Sequence, residues 1–464
     1  MKNLILILAL LTPCFAKGQD NYTMKLLPQL QQSQWYDATN LPDAKITVGI
    51  PVISGVSFYV YNSGFTFHDV FHSVNDTAQS VNMGAIFNQL KPLNLVSAGA
   101  SVQLLSFNYA QDNLSVGFSV SDKANFNFTY PAEFFQLMWY GNGHYMNQNI
   151  QIGNFGIDAT YYREYAFHAA YKYKKWTIGF SPKILSGKTN IHTNETSVIL
   201  NTDSNSFYNI SATAKMNVQM SGIEDSADKS QGGYFSSYSK GEHYIVDNNN
   251  PGYAMDLGVK YEINDNLHVS AGVNNLGFIR WNNQVHTYSV DNQTFNFQGL
   301  HLDNFLQGDS SSLTGETFKD SIGNIIKFKE TYSPYTTYLP YDLYLIGNYK
   351  VNQNLFGLEL TARRFNGQFL YAGTASYQLK LGKHFTAALT YTLKSYSAFN
   401  IGGGIIVQFA GMQFYMVTDN WYAAVVPLDS KNANLNIGLN LVFGNRITKQ
   451  AQEKVSVVEY SPTQ

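Results

Sequence analysis

The sequence predicts an all-β protein: a transmembrane antiparallel β-barrel of about 14 strands, with an N-terminal plug-like segment and a few short helices. Three observations predict it. Apolar and polar residues alternate strictly over long stretches; the composition is poor in charge and rich in aromatics; and the chain opens on an export signal yet offers no apolar helix for a membrane.

The alternation is plainest in "HFTAALTYTLK". Phe385, Ala387, Leu389, Tyr391 and Leu393 fall on one face of an extended segment, with His384, Thr386, Thr390, Thr392 and Lys394 on the other. Similar ladders run over 114–121, 208–220, 253–262, 267–274 and 434–443. Period two over eight or more residues is a strand with two unlike faces. A strand in a secreted sandwich would read the same way, so composition has to decide.

Charged residues make up 13% of the chain, against about 25% in soluble proteins, and aromatics reach 15% with 33 tyrosines. The polar faces are Asn, Ser, Thr and Gly rather than Lys and Glu, which suits a wet lumen better than open solvent. The apolar faces then look at lipid. A net charge of −2 argues against nucleic acid as a partner.

At the N-terminus, Lys2 followed by the apolar run Leu4 to Leu11 reads as a secretory signal over residues 1–18, cleaved after Ala16 or Gly18. Cys14, the only cysteine, would fit a lipoprotein signal, but Pro13 stands where that pattern wants a small flexible residue. Cleavage would leave a mature chain without thiol or disulfide chemistry. No other stretch offers about 18 to 20 apolar residues in a row, and a closed barrel is how strands satisfy their backbone groups in lipid.

One strand tests the dimensions. From Tyr165 to Tyr173 the outward series is Tyr165, Phe167, Ala169, Tyr171 and Tyr173, with Arg163 just beyond. Eight steps of about 3.4 Å, tilted by about 40°, span roughly 21 Å of membrane normal, near the ~25 Å apolar band of such barrels. Tyrosines would mark both interfaces, with Arg163 outside the hydrocarbon.

Along the chain, residues 19–95 form a plug-like segment with the first strand or strands and short helices, 96–444 the barrel, and 445–464 a polar tail. Weak ladders at 186–200 and 280–335 leave the strand count a margin of two.

"GIPVISGVSFYVYNSGFTFHDVF", "PAEFFQLMWYGNGH" and "YREYAFHAAYKY", the last followed by "WTIGFSPKILSG", resemble in that order an uncharacterised family of Gram-negative exported outer-membrane barrels, FadL-like in architecture. The resemblance covers essentially the whole mature chain. It implies transport of hydrophobic small molecules through a barrel closed by an N-terminal plug. Two features depart from it: Asp37-Ala38-Thr39 stands where the wider superfamily often has an Asn-Pro-Ala turn, and the chain runs on through 445–464. That tail suggests a contact surface for a periplasmic protein.

The residues offer some candidates of their own. In "PAEFFQLMWYG", Pro131 suits a helix N-terminus and Gly141 a stop; Phe134, Phe135, Met138 and Trp139 give this helix more apolar surface than one packing stripe needs. With Phe65, Phe67 and Phe71 they form the candidate contact set for an apolar ligand. The plainer role for the same residues is to fill the barrel or pack beneath a loop. His68 and His72 lie one helical turn apart, a spacing metals use, but nothing fixes a third ligand, so no metal and no cofactor is assigned. There is no nucleophile elbow, phosphate loop or HExxH, so the chain is not expected to be an enzyme. The competing function is an accessory barrel of a secretion or surface-assembly machine.

Overall fold

The computed structural model describes residues 21–75, 78–81, 83–203, 209–223, 248–297, 328–365, 368–382, 384–395 and 397–446. The expected signal at 1–18 and all but the first two residues of the 445–464 tail lie outside the described residues.

Among the described residues, fourteen antiparallel strands close into a ring. In chain order they are β1 (Ala44–Gly49 and Val56–Asn62), β2 (Leu93–Gln111), β3 (Leu114–Pro131), β4 (Gly156–Tyr173), β5 (Trp176–Asp203), β6 (Asn250–Glu262), β7 (Leu267–Trp281), β8 (Tyr341–Val351), β9 (Asn354–Phe365), β10 (Gln368–Leu381), β11 (Phe385–Lys394), β12 (Ile401–Phe409), β13 (Met412–Thr418) and β14 (Asn432–Asn445). Each pairs with its sequence neighbour, and β1 closes the ring by pairing with both β2 and β14. The wall therefore has no free edge in lipid.

The faces are as the alternation predicts. In β11, Leu389, Tyr391 and Leu393 are 56%, 42% and 51% exposed, while Thr386, Thr390, Thr392 and Lys394 are buried inside. In β4, Phe167, Tyr171 and Tyr173 face out. Arg163, at the top of that series, makes a two-armed ion pair with Asp122 of β3, 2.7 Å from Nε to Oδ1 and 2.8 Å from Nη2 to Oδ2. The apolar band thus runs from this pair down to Tyr173 and Trp176. No helix among the described residues is long and apolar enough to cross a membrane.

Four hairpins at one end turn in two residues: Asp112-Asn113, Lys174-Lys175, Asn352-Gln353 and Ala410-Gly411. Their first residues adopt φ of 51°, 54°, 55° and 49°, the left-handed geometry that matches strand twist. The start of β1 and the end of β14 lie at this end, the inner one by the rule that membrane barrels turn short inside and long outside.

The candidate ladder at 208–220 does form a strand, Asn209–Ser221, but not in the ring. It pairs with the upper part of β5 and with His286–Phe297, which in turn pairs with Lys329–Thr331. Asn149–Gly153 flanks β5 on the other side. Period two records two unlike faces and cannot tell a lipid-facing strand from one in a sheet that overhangs the outer rim.

Candidate functional site

Of the 19–95 segment, residues 21–43 fill the lumen, 44–62 are wall, and 67–89 carry two short helices over the outer mouth. The lumen segment is irregular: one helical turn at Tyr22–Lys25, a 3-10 turn at Gln31–Trp35, and otherwise extended chain. Its apolar side chains seat on the wall, with Met24, Leu27 and Leu30 packed on Ile406, Tyr415 and Val417, and Leu26 on Tyr344 and Ile346.

Its polar groups are fastened around the ring. The Thr23 amide donates to Asp419 Oδ1 at 2.8 Å, and Thr23 Oγ1 lies 2.8 Å from Thr390 Oγ1. Lys25 Nζ reaches Glu359 Oε1 at 2.8 Å, both groups fully out of water. Gln32 donates to Asn440 Oδ1 at 2.8 Å and accepts from Asn440 Nδ2 at 3.0 Å. Asp37 holds the Asp37-Ala38-Thr39 turn and ties it to the wall. Its Oδ1 accepts from the Thr39 amide and hydroxyl at 2.9 and 2.6 Å and from the Tyr344 hydroxyl at 3.2 Å, and its Oδ2 from Ser270 at 3.2 Å. Beside it the Ala38 carbonyl sits so close to β5 that a Cβ on Gly179 would come within 1.8 Å of it. Residues 21–43 are therefore a fitted part of the barrel, packed across its lumen.

Above them lies a cavity of about 670 Å³, inside the ~300–1,000 Å³ range of small-molecule sites. Tyr22 of the plug is its floor. One side is polar and built from the lumen faces of β2 to β5. Strand register aligns Ser97, Asn127, Asp158 and His192 as one rung and Gly99, Asn125, Thr160 and Asn190 as the next. Ser97 donates to Asn127 Oδ1 at 2.7 Å, His192 Nδ1 lies 2.9 Å from Asp158 Oδ2, and Tyr59 of β1 donates to Asn125 Oδ1 at 2.8 Å. Tyr59 reaches across only because residue 99 is glycine; a Cβ there would stand 2.5 Å from its hydroxyl.

The opposite side is interrupted, with apolar Leu276, Phe278 and Leu339 at the interruption and Arg363 and Arg364 beyond it. β7 pairs with β8 up to Asn274 and Asp342, then bulges at Asn275, which has φ of 59°. It resumes at Phe278, pairing with Tyr335–Tyr338. Across the gap one ladder bond remains, from the Leu339 amide to the Gly277 carbonyl at 3.0 Å, and Pro340 has no N–H to give. Charge buried behind the wall fixes the bulge: Asp256 Oδ1 accepts the Asn275 amide at 2.7 Å, and Lys183, paired with Asp256 at 2.7 Å, donates to Asn275 Oδ1 at 2.8 Å. At this seam the cavity is bounded both by the inward Leu339 and by Leu276, Phe278 and Tyr338, whose side chains lie on the outer face, so it reaches through the wall.

The candidate ligand residues lie at the outer mouth. Pro131 precedes and Gly141, at φ of 71°, ends the helix Ala132–Tyr140. Phe135 packs edge-on against Phe65, Tyr130 and Phe134 at centroid distances of 5.6, 5.1 and 5.7 Å, and Phe134 meets Phe155 at 5.3 Å. Trp139 is 51% exposed. None of Phe65, Phe134, Phe135 or Trp139 lines the cavity. The side chains of Phe67, Phe71, His72 and Met138 lie outside those described. His68 Nδ1 is 2.5 Å from Asp429 Oδ1 in the loop between β13 and β14. That contact and the bond from Lys431 Nζ to the Gly64 carbonyl, 2.9 Å, fasten the mouth segment to the loop. Among the described residues no group of His, Cys, Asp and Glu could hold a metal.

Sequence reasoning passed over the cavity residues, although "NFNF" carries a signal: Asn125 and Asn127 share a face opposite Phe126 and Phe128, two amides side by side on a lumen wall.

A family model described as "Family of unknown function (DUF5723)" matches residues 39–419. No curated protein matches. Among solved structures, the Pseudomonas putida toluene transporter TodX aligns at TM-score 0.40 and 9% identity over 92% of this chain and 98% of its own. A Pseudomonas aeruginosa FadL homologue aligns at 0.39 and 8% over 92% and 96%. The translocator domain of the Neisseria meningitidis autotransporter NalP aligns at 0.33 and 7% over 88% and 92%.

Proposed function

The chain belongs to the family of unknown function DUF5723, and from its geometry we propose that it is an outer-membrane channel for hydrophobic small molecules, exported by a cleaved signal at 1–18. One observation carries the reading: a cavity that is floored by a fastened plug and is bounded by lipid-facing side chains at the gap between β7 and β8. A cargo entering from outside cannot go straight down past Tyr22, but it can pass sideways between Leu276 and Tyr338 into the bilayer. An apolar solute gains by that step, since it never crosses a water-filled lumen. The aromatic helix Ala132–Tyr140, with Trp139 exposed at the mouth, would be the first surface such a solute meets. This is a conduit and asks for no catalytic group.

Uptake of an apolar fluorophore such as N-phenylnaphthylamine by cells carrying the protein, against cells without it, tests the reading. Pro340→Val restores the missing N–H and should tighten the ladder and slow uptake, with the protein still running as a heat-modifiable band. Uptake equal with and without the protein, or untouched by Pro340→Val, overturns it.

A further inference from the structure

Resting on that reading, we infer that the preferred cargo is an uncharged amphiphile whose head carries hydroxyl or ester oxygens, rather than a bare hydrocarbon or a fatty acid. The two sides of the cavity are chemically unlike, and each specifies one end of a molecule. The apolar seam at Leu276, Leu339 and Tyr338 lies on β7 and the segment before β8, while the polar rungs lie on β2 to β5. Leu370, on β10, adds a further apolar side chain seven strands round the ring from β3, beyond Arg363 and Arg364 of β9. A head held on the rungs would lay its tail across the lumen toward the gap.

The rungs state what the head must offer. Asn125 and Asn127 spend their carbonyl oxygens on the hydroxyls of Tyr59 and Ser97, so each turns its NH₂ toward the cavity. Those groups need acceptors. On the same rung as Asn127, His192 turns Nδ1 to the Asp158 carboxylate at 2.9 Å, which leaves Nε2 as the ring nitrogen to meet a ligand. A hydroxyl satisfies that atom as donor or as acceptor, and an ester or a second hydroxyl supplies the acceptors for the amide NH₂ groups. A hydrocarbon would leave these groups dry and unpaired, which costs more than the bonds gain.

A carboxylate head fits poorly. The Asp158 carboxylate stands in the middle of the rung and would repel it. Two guanidiniums line the cavity across the lumen from the rungs, and both are already engaged: that of Arg363 is held by Asp342 in a two-armed pair at 2.6 and 2.7 Å, and that of Arg364 lies 5.2 Å over the Phe369 ring.

The test is a competition among three probes of similar chain length: 1-monooleoylglycerol, oleate and 1-octadecene. Purified barrel in mild detergent is mixed with all three and its retained ligand read by native mass spectrometry. Monooleoylglycerol should be retained in preference to both others. Asn125→Ala with Asn127→Ala should weaken its retention by about tenfold, the worth of one to two hydrogen bonds, and leave octadecene unchanged. If that double variant does not assemble, His192→Phe on the same rung should show the same selective loss. Oleate or octadecene retained as well as monooleoylglycerol, or a preference that survives the substitutions, overturns the inference. Preference for octadecene would leave the channel reading standing, whereas retention of none of the three, with no fluorophore uptake, would remove both.

Discussion

Lys25 of the plug and Glu359 of β9 form an ion pair of 2.8 Å, 334 residues apart in sequence and out of reach of water. Thr361 donates its hydroxyl to the same Glu359 oxygen at 2.5 Å, and two aromatic faces, those of Tyr22 and Tyr344, lie 5.8 and 5.5 Å from the ammonium. This ties the plug to the wall on the side away from the polar rungs. Neutralising one partner leaves the other charge buried alone, which costs about 3–5 kcal/mol, while replacing both with apolar groups of similar volume is close to neutral. Lys25→Met should therefore unseat the plug, and Lys25→Met with Glu359→Leu should restore it. Hydrogen exchange of the 21–43 amides reads both; equal exchange in wild type and the single variant would mean the pair does not hold the plug.

Gly179 gives a steric version of the same test. Its missing Cβ is what admits the Ala38 carbonyl, at 1.8 Å from where that atom would be. Gly179→Val leaves β5 able to pair but has no room for the plug, so the barrel should still form and residues 21–43 should become sensitive to protease and raise ion conductance in planar bilayers. A variant as impermeable as wild type would show that the plug can seat without this contact.

The wall faces were legible in the sequence because period two is a local property: Leu389 and Thr390 differ in burial because adjacent Cβ atoms point opposite ways. The plug-like character of 19–95 was expected, but the course of residues 21–43 was not legible, because its order comes from partners far along the chain, such as Asp419 for Thr23. Residues 21–43 have neither period, since each side chain meets a different strand. The gap in the wall left only faint marks, a proline at 340 and an Asn-Asn at 274–275 inside ladders, either of which also reads as an ordinary strand end. The mouth helix, bracketed by Pro131 and Gly141, was legible down to its ends because caps are local too.

Lipid and lumen faces should differ in tolerance. Leu389→Arg places a charge in the apolar band and should cost about 2–4 kcal/mol near midplane, measured by denaturant titration of barrel folded in lipid vesicles. Thr390 is not a neutral control, because its hydroxyl meets Thr23 of the plug. Asn194, which lines the open cavity, is the better one, and Asn194→Arg should fold almost as stably as wild type. Equal costs at 389 and 194 would contradict a lipid-facing Leu389.

The gap depends on the Lys183 and Asp256 pair that props the Asn275 bulge. Lys183→Gln keeps a donor for Asn275 but leaves the Asp256 carboxylate without its cation, so the bulge should loosen and the seam between β7 and β8 should exchange its amides faster. Fluorophore uptake should change in step with that exchange. Altered exchange at unaltered uptake would place the exit elsewhere.

At the mouth, the packing separates two aromatic residues that the sequence treats alike. Phe135, half-buried, lies among Phe65, Tyr130 and Phe134, so Phe135→Ala removes their packing and should cost about 1–3 kcal/mol of local stability, lowering the melting of the outer mouth. Trp139 is 51% exposed, so Trp139→Ala removes contact area that only an incoming solute would use and should leave melting unchanged. If the helix is the first surface a hydrophobic solute touches, Trp139→Ala slows uptake at low solute concentration and loses its effect at saturation. A purely structural helix gives the reverse pattern, in which Phe135→Ala reduces uptake in proportion to its loss of stability and Trp139→Ala does nothing at any concentration.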